Sequence, residues 1–219
     1  MHVSVNAAVS ADGKLSSRRR EQIAISGEED FARVDRLRAE VDGILVGVGT
    51  VLADDPSLIR HDNTHRLDHR GPNASPPARI VVDSTCRTPP DADILAGDPE
   101  TYVLTSESAP PDYRDRLREA GATLVTAGSE RVDIADCFEA LEAAGIETLL
   151  VEGGGEIIFS LFESGLVDEL TVYVGNVIFG GQNAPTLVDG EGFVDDFPEL
   201  ELTSIDRLDS GVVLNWIAV

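Results

Sequence analysis

Lysine is nearly missing from this chain: one residue, Lys14, stands against sixteen arginines in 219 positions. Cations of either kind are scarce, 17 against 40 aspartates and glutamates, for a formal net charge of −23. Every phosphate contact needs a cation, so this composition excludes nucleic acid and anionic membranes as partners. The acid is spread along the whole length, which excludes a regulatory acidic tail. Dispersed acid with almost no lysine is the composition expected in a salt-loaded cytoplasm, where a Debye length of ~3 Å at 1 M screens self-repulsion. Cysteine is also sparse. Cys86 and Cys137 stand far apart, outside any CxxC or metal-ligand spacing, which excludes a disulfide framework and a zinc finger. No apolar run approaches the ~18 residues of a membrane span. The first strand-like run follows Met1 almost directly, without the basic region or cleavage site of a signal peptide. A cytoplasmic protein is therefore expected.

What is present is a foldable α/β pattern. Hydrophobic residues make up 42% of the chain, enough for one core, and no internal repeat divides it. Strands are expected at 3–9, 43–48, 79–83, 101–105, 123–126, 148–152 and 170–177. Helices alternate with them. Ser26-Gly27-Glu28-Glu29 has the form of a capping box, followed by Phe31, Val34, Leu37 and Val41 at helical spacing. Residues 113–120 and 134–144 read as helices closed by Gly121 and Gly145, and Ile157, Ile158, Leu161 and Phe162 form a further apolar face before Gly165. The last quarter alternates instead, at 199–206 and 211–219 around Asp209-Ser210-Gly211, as an antiparallel hairpin would. The polar stretch 61–77 is read as a long loop, with His61, His65 and His69 solvated rather than bound to metal.

Four segments could carry chemistry. In Leu149-Leu150-Val151-Glu152-Gly153-Gly154-Gly155-Glu156 a strand meets three glycines and then a helix, and the free N–H groups of a helix start suit a phosphate. The alternative is a plain tight turn. Glu152 ends that strand, where open α/β sheets keep their ligands. Lys14 closes Ser10-Ala11-Asp12-Gly13-Lys14 after the first strand, a compact charge that arginine does not reproduce. Thr50 is placed to cap a short helix that Asp54 and Asp55 stop before Pro56. The strand from Arg79 ends in Asp83, Ser84 and Arg87, a set suited to a 2′-phosphate or simply to a solvated loop.

In order, segments 10–14, 25–30, 46–58, 79–84, 150–155, 165–173 and 178–193 resemble the motifs of the riboflavin-pathway reductases. The stretch Ile178-Phe179-Gly180-Gly181 with Ala184-Pro185-Thr186-Leu187-Val188-Asp189-Gly190-Glu191-Gly192-Phe193 is similar to the archaeal members in particular. The resemblance covers nearly the whole chain. It implies one dihydrofolate-reductase-like α/β domain over 1–219: a single mixed, mostly parallel sheet flanked by helices, with an antiparallel C-terminal hairpin. It further implies a homodimer, NADPH, no metal, and reduction of a ribosylamino-pyrimidinone 5′-phosphate to its ribitylamino product. Carried over by position, Thr50, Asp54 and Ser84 match nicotinamide-cofactor sites, and Gly154, Gly155 and Glu156, beside Gly153, match the pyrophosphate loop. Lys14, Arg38, Leu58 and Glu152 match positions near substrate, Lys14 and Glu152 being the catalytic candidates. His61 falls where bacterial relatives carry an arginine for the substrate phosphate, and Ala24 where they carry a tryptophan. The zinc-deaminase motifs HxE and PCxxC, fused to many bacterial members, are absent from the sequence. A 2-amino pyrimidinone, reduced before deamination, is thus the expected substrate. A reductase of the deaminated uracil, a dihydrofolate or pterin reductase, and a non-catalytic nucleotide-binding module remain as alternatives.

Overall fold

Apolar residues at successive positions on short β-branched runs produce strands buried on both faces, and the chain uses them for a central sheet. A computed structural model describes residues 1–21 and 23–219. Among the described residues the order is β1 (His2–Val9), α1 (Glu28–Glu40), β2 (Gly43–Gly47), α2 (Val48–Asp54), α3 (Asn63–Arg70) and β3 (Ala78–Val82). There follow a 3₁₀ turn (Asp93–Leu95), β4 (Thr101–Thr105), α4 (Pro111–Glu119), β5 (Thr123–Thr126) and α5 (Ile134–Ala143). The chain then forms β6 (Thr148–Gly153), α6 (Gly155–Glu163), β7 (Glu169–Val174), β8 (Leu200–Leu208) and β9 (Gly211–Ala218). All expected strands form, with ends displaced by a few residues; β7 stops at Val174, short of 177. Among the described residues no helix is long and apolar enough to cross a membrane.

The strands make one sheet in the order β5-β4-β3-β2-β6-β1-β7-β9-β8. Pairings from β5 through to β7 are parallel, and β9 runs antiparallel between β7 and β8. All the parallel strands therefore end at one edge. The connection from β1 to β2 passes β6 on one side, and that from β6 to β7 passes β1 in the opposite direction. Right-handed crossovers of opposite direction lie on opposite faces, which opens a crevice at the carboxyl ends of β1, β2 and β6. The side-chain alternation agrees. Leu45, Ile80, Leu104, Leu149 and Val151 pack with Ile134, Phe138 and Leu141 of α5 and Ile158 and Leu161 of α6. Their neighbours Ile44, Val46, Val81 and Val103 pack on the other face with Val51 of α2 and Leu117 of α4.

Helices α4, α5 and α6 end as expected, with Gly121, Gly145 and Gly165 at positive φ. Three local expectations are corrected. The 61–77 stretch is not a bare loop: Asp62 accepts from the His65 N–H at 2.9 Å and caps α3. Its Arg66 is buried, donating to the carbonyls of Ala39 and Val41 at 3.0 and 2.8 Å. Ser26 does not cap α1. Asp209, in the β8–β9 turn, accepts from the N–H groups of Gly27, Glu29 and Asp30, and Glu29 in return accepts from the Asp209 N–H. Finally, α2 begins after Gly47, so Thr50 lies inside the helix rather than at its cap.

Candidate active site

The turn after β1 is tied at each end. The Lys14 N–H donates to Ser10 Oγ at 3.0 Å, the Ser10 N–H to the Lys14 carbonyl at 2.9 Å, and Gly13 supplies the positive φ of +77° between them. Ser10 Oγ donates to Asp12 at 2.6 Å, and Asp12 also accepts from the N–H groups of Phe179 and Gly180. Those donors, the Ser10 hydroxyl foremost, hold the Asp12 carboxyl down at about 2. Asp12 thereby ties the 178–193 segment to the first strand. Lys14 itself pairs its backbone with Thr186 in an antiparallel bridge. Its ammonium makes no ion pair or hydrogen bond among the described residues.

The glycine turn lies against this segment. Gly153 and Gly154 take φ of +149° and +96°, values that side chains rarely tolerate, and the strand turns into α6 through them. A Cβ on Gly155 would stand 2.5 Å from the Thr186 carbonyl, so residues 186–189 can close onto the helix start only because Gly155 has none. The second glycine turn, between β2 and α2, is adjacent: Gly154 lies beside Gly47, and Thr50 Oγ is 3.9 Å from where a Gly153 Cβ would be. The first amides of α6, from Gly155 and Glu156, have no partner within the helix. Glu156 keeps its side chain exposed, so its backbone rather than its carboxylate suits an anion.

Arg38 and Glu152, separate candidates in the sequence, are partners in the structure. Arg38 Nε and Nη2 donate to the two Glu152 oxygens at 2.6 Å each, with side chains only 17% and 10% exposed. Burial pulls the Arg38 pKa down, but the hydrogen bond and charge of Glu152, with the charge of Asp35, prevail and raise it. Arg38 Nη1 donates to the Arg60 carbonyl at 3.1 Å, which holds the 58–62 segment over the pair. Leu58 is buried in the α2–α4 core with φ +51°, so it shapes the segment from below. His61 sets Nδ1 3.0 Å from the Ile59 carbonyl, and its buried Nε2 has no partner among the described residues.

At the end of β3 the expectation is revised. Asp83 is fully buried, and one oxygen accepts from Thr88 N–H and Oγ at 2.7 and 2.8 Å. One carboxylate oxygen therefore holds the 83–88 turn from within, while the other, Oδ1, is buried without a hydrogen-bond partner among the described residues. Ser84 Oγ accepts from the Val132 N–H at 3.2 Å, and its carbonyl from Ser106. Arg87 remains 60% exposed, its Nε 4.0 Å from Asp83. Asp54 is on the surface, and partial burial raises its carboxyl.

Sequence reasoning missed an apolar cleft of about 440 Å³ at the end of β1, lined by Ala8, Leu15, Ile23, Ala24, Ile25, Ser26 and Phe31. Phe31 was expected on the core face of α1, yet it is 43% exposed there. Periodicity cannot separate a core aromatic from a cleft aromatic at the first turn of a helix.

Residues 1–214 match the family model described as the RibD C-terminal domain. The chain is 42% identical over 214 residues to a protein of Archaeoglobus fulgidus named 2,5-diamino-6-ribosylamino-4(3H)-pyrimidinone 5′-phosphate reductase, covering 96% of this chain and 94% of that one. It is 43% identical over 218 residues to the protein of the same name from Methanothermobacter thermautotrophicus, covering 98% and 97%. Among solved structures, RibD of Acinetobacter baumannii superposes over 100% of this chain and 58% of its own, with a TM-score of 0.79 at 23% identity. That likeness carries the fold.

Proposed function

Because the chain belongs to the RibD C-terminal domain family of riboflavin-biosynthesis reductases, we propose that it reduces 2,5-diamino-6-ribosylamino-4(3H)-pyrimidinone 5′-phosphate to the ribitylamino product with NADPH. The observation that carries this is the near-full-length identity to the two archaeal reductases of that name. The site is consistent with it. Two glycine turns meet at the sheet's carboxyl edge, and backbone at Gly154 and Gly155 with the Thr50 hydroxyl fits the pyrophosphate of a dinucleotide. Arg87 is the exposed cation by which a 2′-phosphate would distinguish NADPH from NADH.

The bound nicotinamide supplies the hydride. The chain's own residues position the substrate. C1′ of the ribosylamine becomes electrophilic when the ribose ring opens, breaking C1′–O4′ and forming C1′=N as the N–H proton passes from nitrogen to O4′; hydride then adds to C1′ and one proton from solvent restores the N–H, a net gain of two hydrogens. Lys14, with its uncommitted ammonium, stabilises the negative charge that develops on the ribose oxygen or anchors that oxygen. Glu152, oriented by Arg38 and with lone pairs remaining on both oxygens, accepts N–H groups from the diamino edge of the pyrimidinone. The apolar cleft beside Phe31 offers a face on which a planar ring can stack. A second copy would cover the edge strand β8, whose residues Leu202 and Ile205 are exposed, giving a homodimer. A cytoplasmic site of action fits this substrate and the acidic composition.

The test is direct. Purified protein in molar salt, given the diamino substrate and NADPH, should oxidise one NADPH for each product molecule that gains two hydrogens by mass. Cofactor binding without turnover would leave a nucleotide-binding module instead.

A further inference from the structure

Away from the carboxyl edge, α1 and α3 bring a carboxylate and two imidazoles together. Glu40 is the last residue of α1, His65 and His69 are one turn apart on α3, and one ligand atom from each lies within 4.8 Å of the others. His65 Nε2 is 2.7 Å from Glu40 Oε1, and the two rings lie 14° from parallel with centroids 5.9 Å apart. An i, i+4 spacing sets both histidines on one helical face. The backbone around the three is held independently of them. Arg66 passes beneath, donating to the carbonyls of Ala39 and Val41 on either side of Glu40, and the Asp62 N–H donates to the Asp35 carbonyl at 2.9 Å. The nearby Arg70 guanidinium is taken up by Asp42 and the Glu40 carbonyl.

We propose that Glu40, His65 and His69 bind a divalent transition-metal ion, zinc being the natural probe, with water completing the shell. Imidazole and carboxylate are donors zinc takes in four-coordinate sites at ~2.0–2.2 Å, whereas magnesium and calcium prefer oxygen alone. Around such an ion the ligand atoms lie about 3.4 Å apart, so the present spread closes by rotation of the exposed His69 side chain. The net charge of −23 enriches cations at the surface. The ion fastens α3 to α1 close to Arg38, and so steadies the 58–62 segment whose Arg60 carbonyl Arg38 holds.

The experiment titrates chelator-treated full-length protein with zinc chloride in molar sodium chloride by calorimetry, with thermal melts in parallel. One zinc per chain is expected, with a melting temperature that rises as the site fills. His69→Ala and Glu40→Gln should each weaken binding at least about 10-fold, in line with the cost of disturbing a ligand set. The metal-free melt of His69→Ala should match wild type, because that side chain is exposed. His2→Ala, which removes the separate histidine–carboxylate contact with Asp168 and Glu169, should leave the titration unchanged. A titration without a one-equivalent step, or zinc binding that survives both ligand substitutions, overturns the proposal.

Discussion

The Lys14 ammonium has no partner among the described residues, whereas Arg38 bonds both oxygens of Glu152. The two residues should therefore fail differently. Lys14→Ala is expected to lower kcat by ~10²–10³, the usual cost of one transition-state donor, with NADPH affinity and melting temperature unchanged. Lys14→Arg should recover part of that, since it keeps the charge on a broader plane. Stopped-flow turnover at saturating substrate checks both; full activity in Lys14→Ala would reduce the lone lysine to chance. Glu152→Gln should mainly raise KM for the pyrimidine. It also leaves a buried guanidinium short of its counter-charge, a loss of about 3 kcal/mol by analogy with broken buried pairs, so its melt should fall where that of Lys14→Ala does not. Lys14 was legible because composition isolated it. Glu152 was legible by its place at a strand end, but its partner was not. A separation of 114 positions between Arg38 and Glu152 leaves no local signal of their pairing.

At the scale of elements, local rules succeeded where the partner was local. Glycines after helices took the left-handed conformation as expected, because that preference belongs to the residue. The Ser26–Glu29 pattern failed because a better cap came from elsewhere: Asp209 answers three N–H groups of the α1 start, and a serine hydroxyl answers one. The 61–77 stretch hid α3 because its main anchor is a buried arginine, which polarity counts as surface. The glycine turn divides into two tests. Gly154→Val forces a branched residue to φ +96°, a strain of ~1–3 kcal/mol, and should weaken NADPH binding while the protein still folds in high salt. Gly155→Ala would collide with the Thr186 carbonyl, so residues 186–189 must retreat, and with them the strand bridge to Lys14. It should depress both cofactor affinity and kcat in titration and turnover. Retained affinity in Gly154→Val would make the turn purely structural.

For the whole molecule, charge and sheet order set the behaviour. Self-repulsion at a net charge of −23 acts over a Debye length of ~30 Å at 0.01 M salt and ~3 Å at 1 M. The melting temperature should therefore climb steadily between those limits; a flat or falling curve would remove the salt-adapted reading and leave the enzymatic one intact. The sheet order needed long-range pairing that periodicity does not encode, yet the crossing of the β1 and β6 connections is what gathers Lys14, Glu152 and the glycine turns at one edge. The central claim is that this edge recognises the diamino ring before deamination. Competition decides it most directly: equal concentrations of 2,5-diamino-6-ribosylamino-4(3H)-pyrimidinone 5′-phosphate and its deaminated uracil counterpart, limiting NADPH, and product masses read by spectrometry. An excess of the diamino ribityl product of about 10-fold or more is predicted, since unmatched polar groups at a hydrogen-bonding edge cost at least that. Equal products, or an excess of the uracil product, would contradict it.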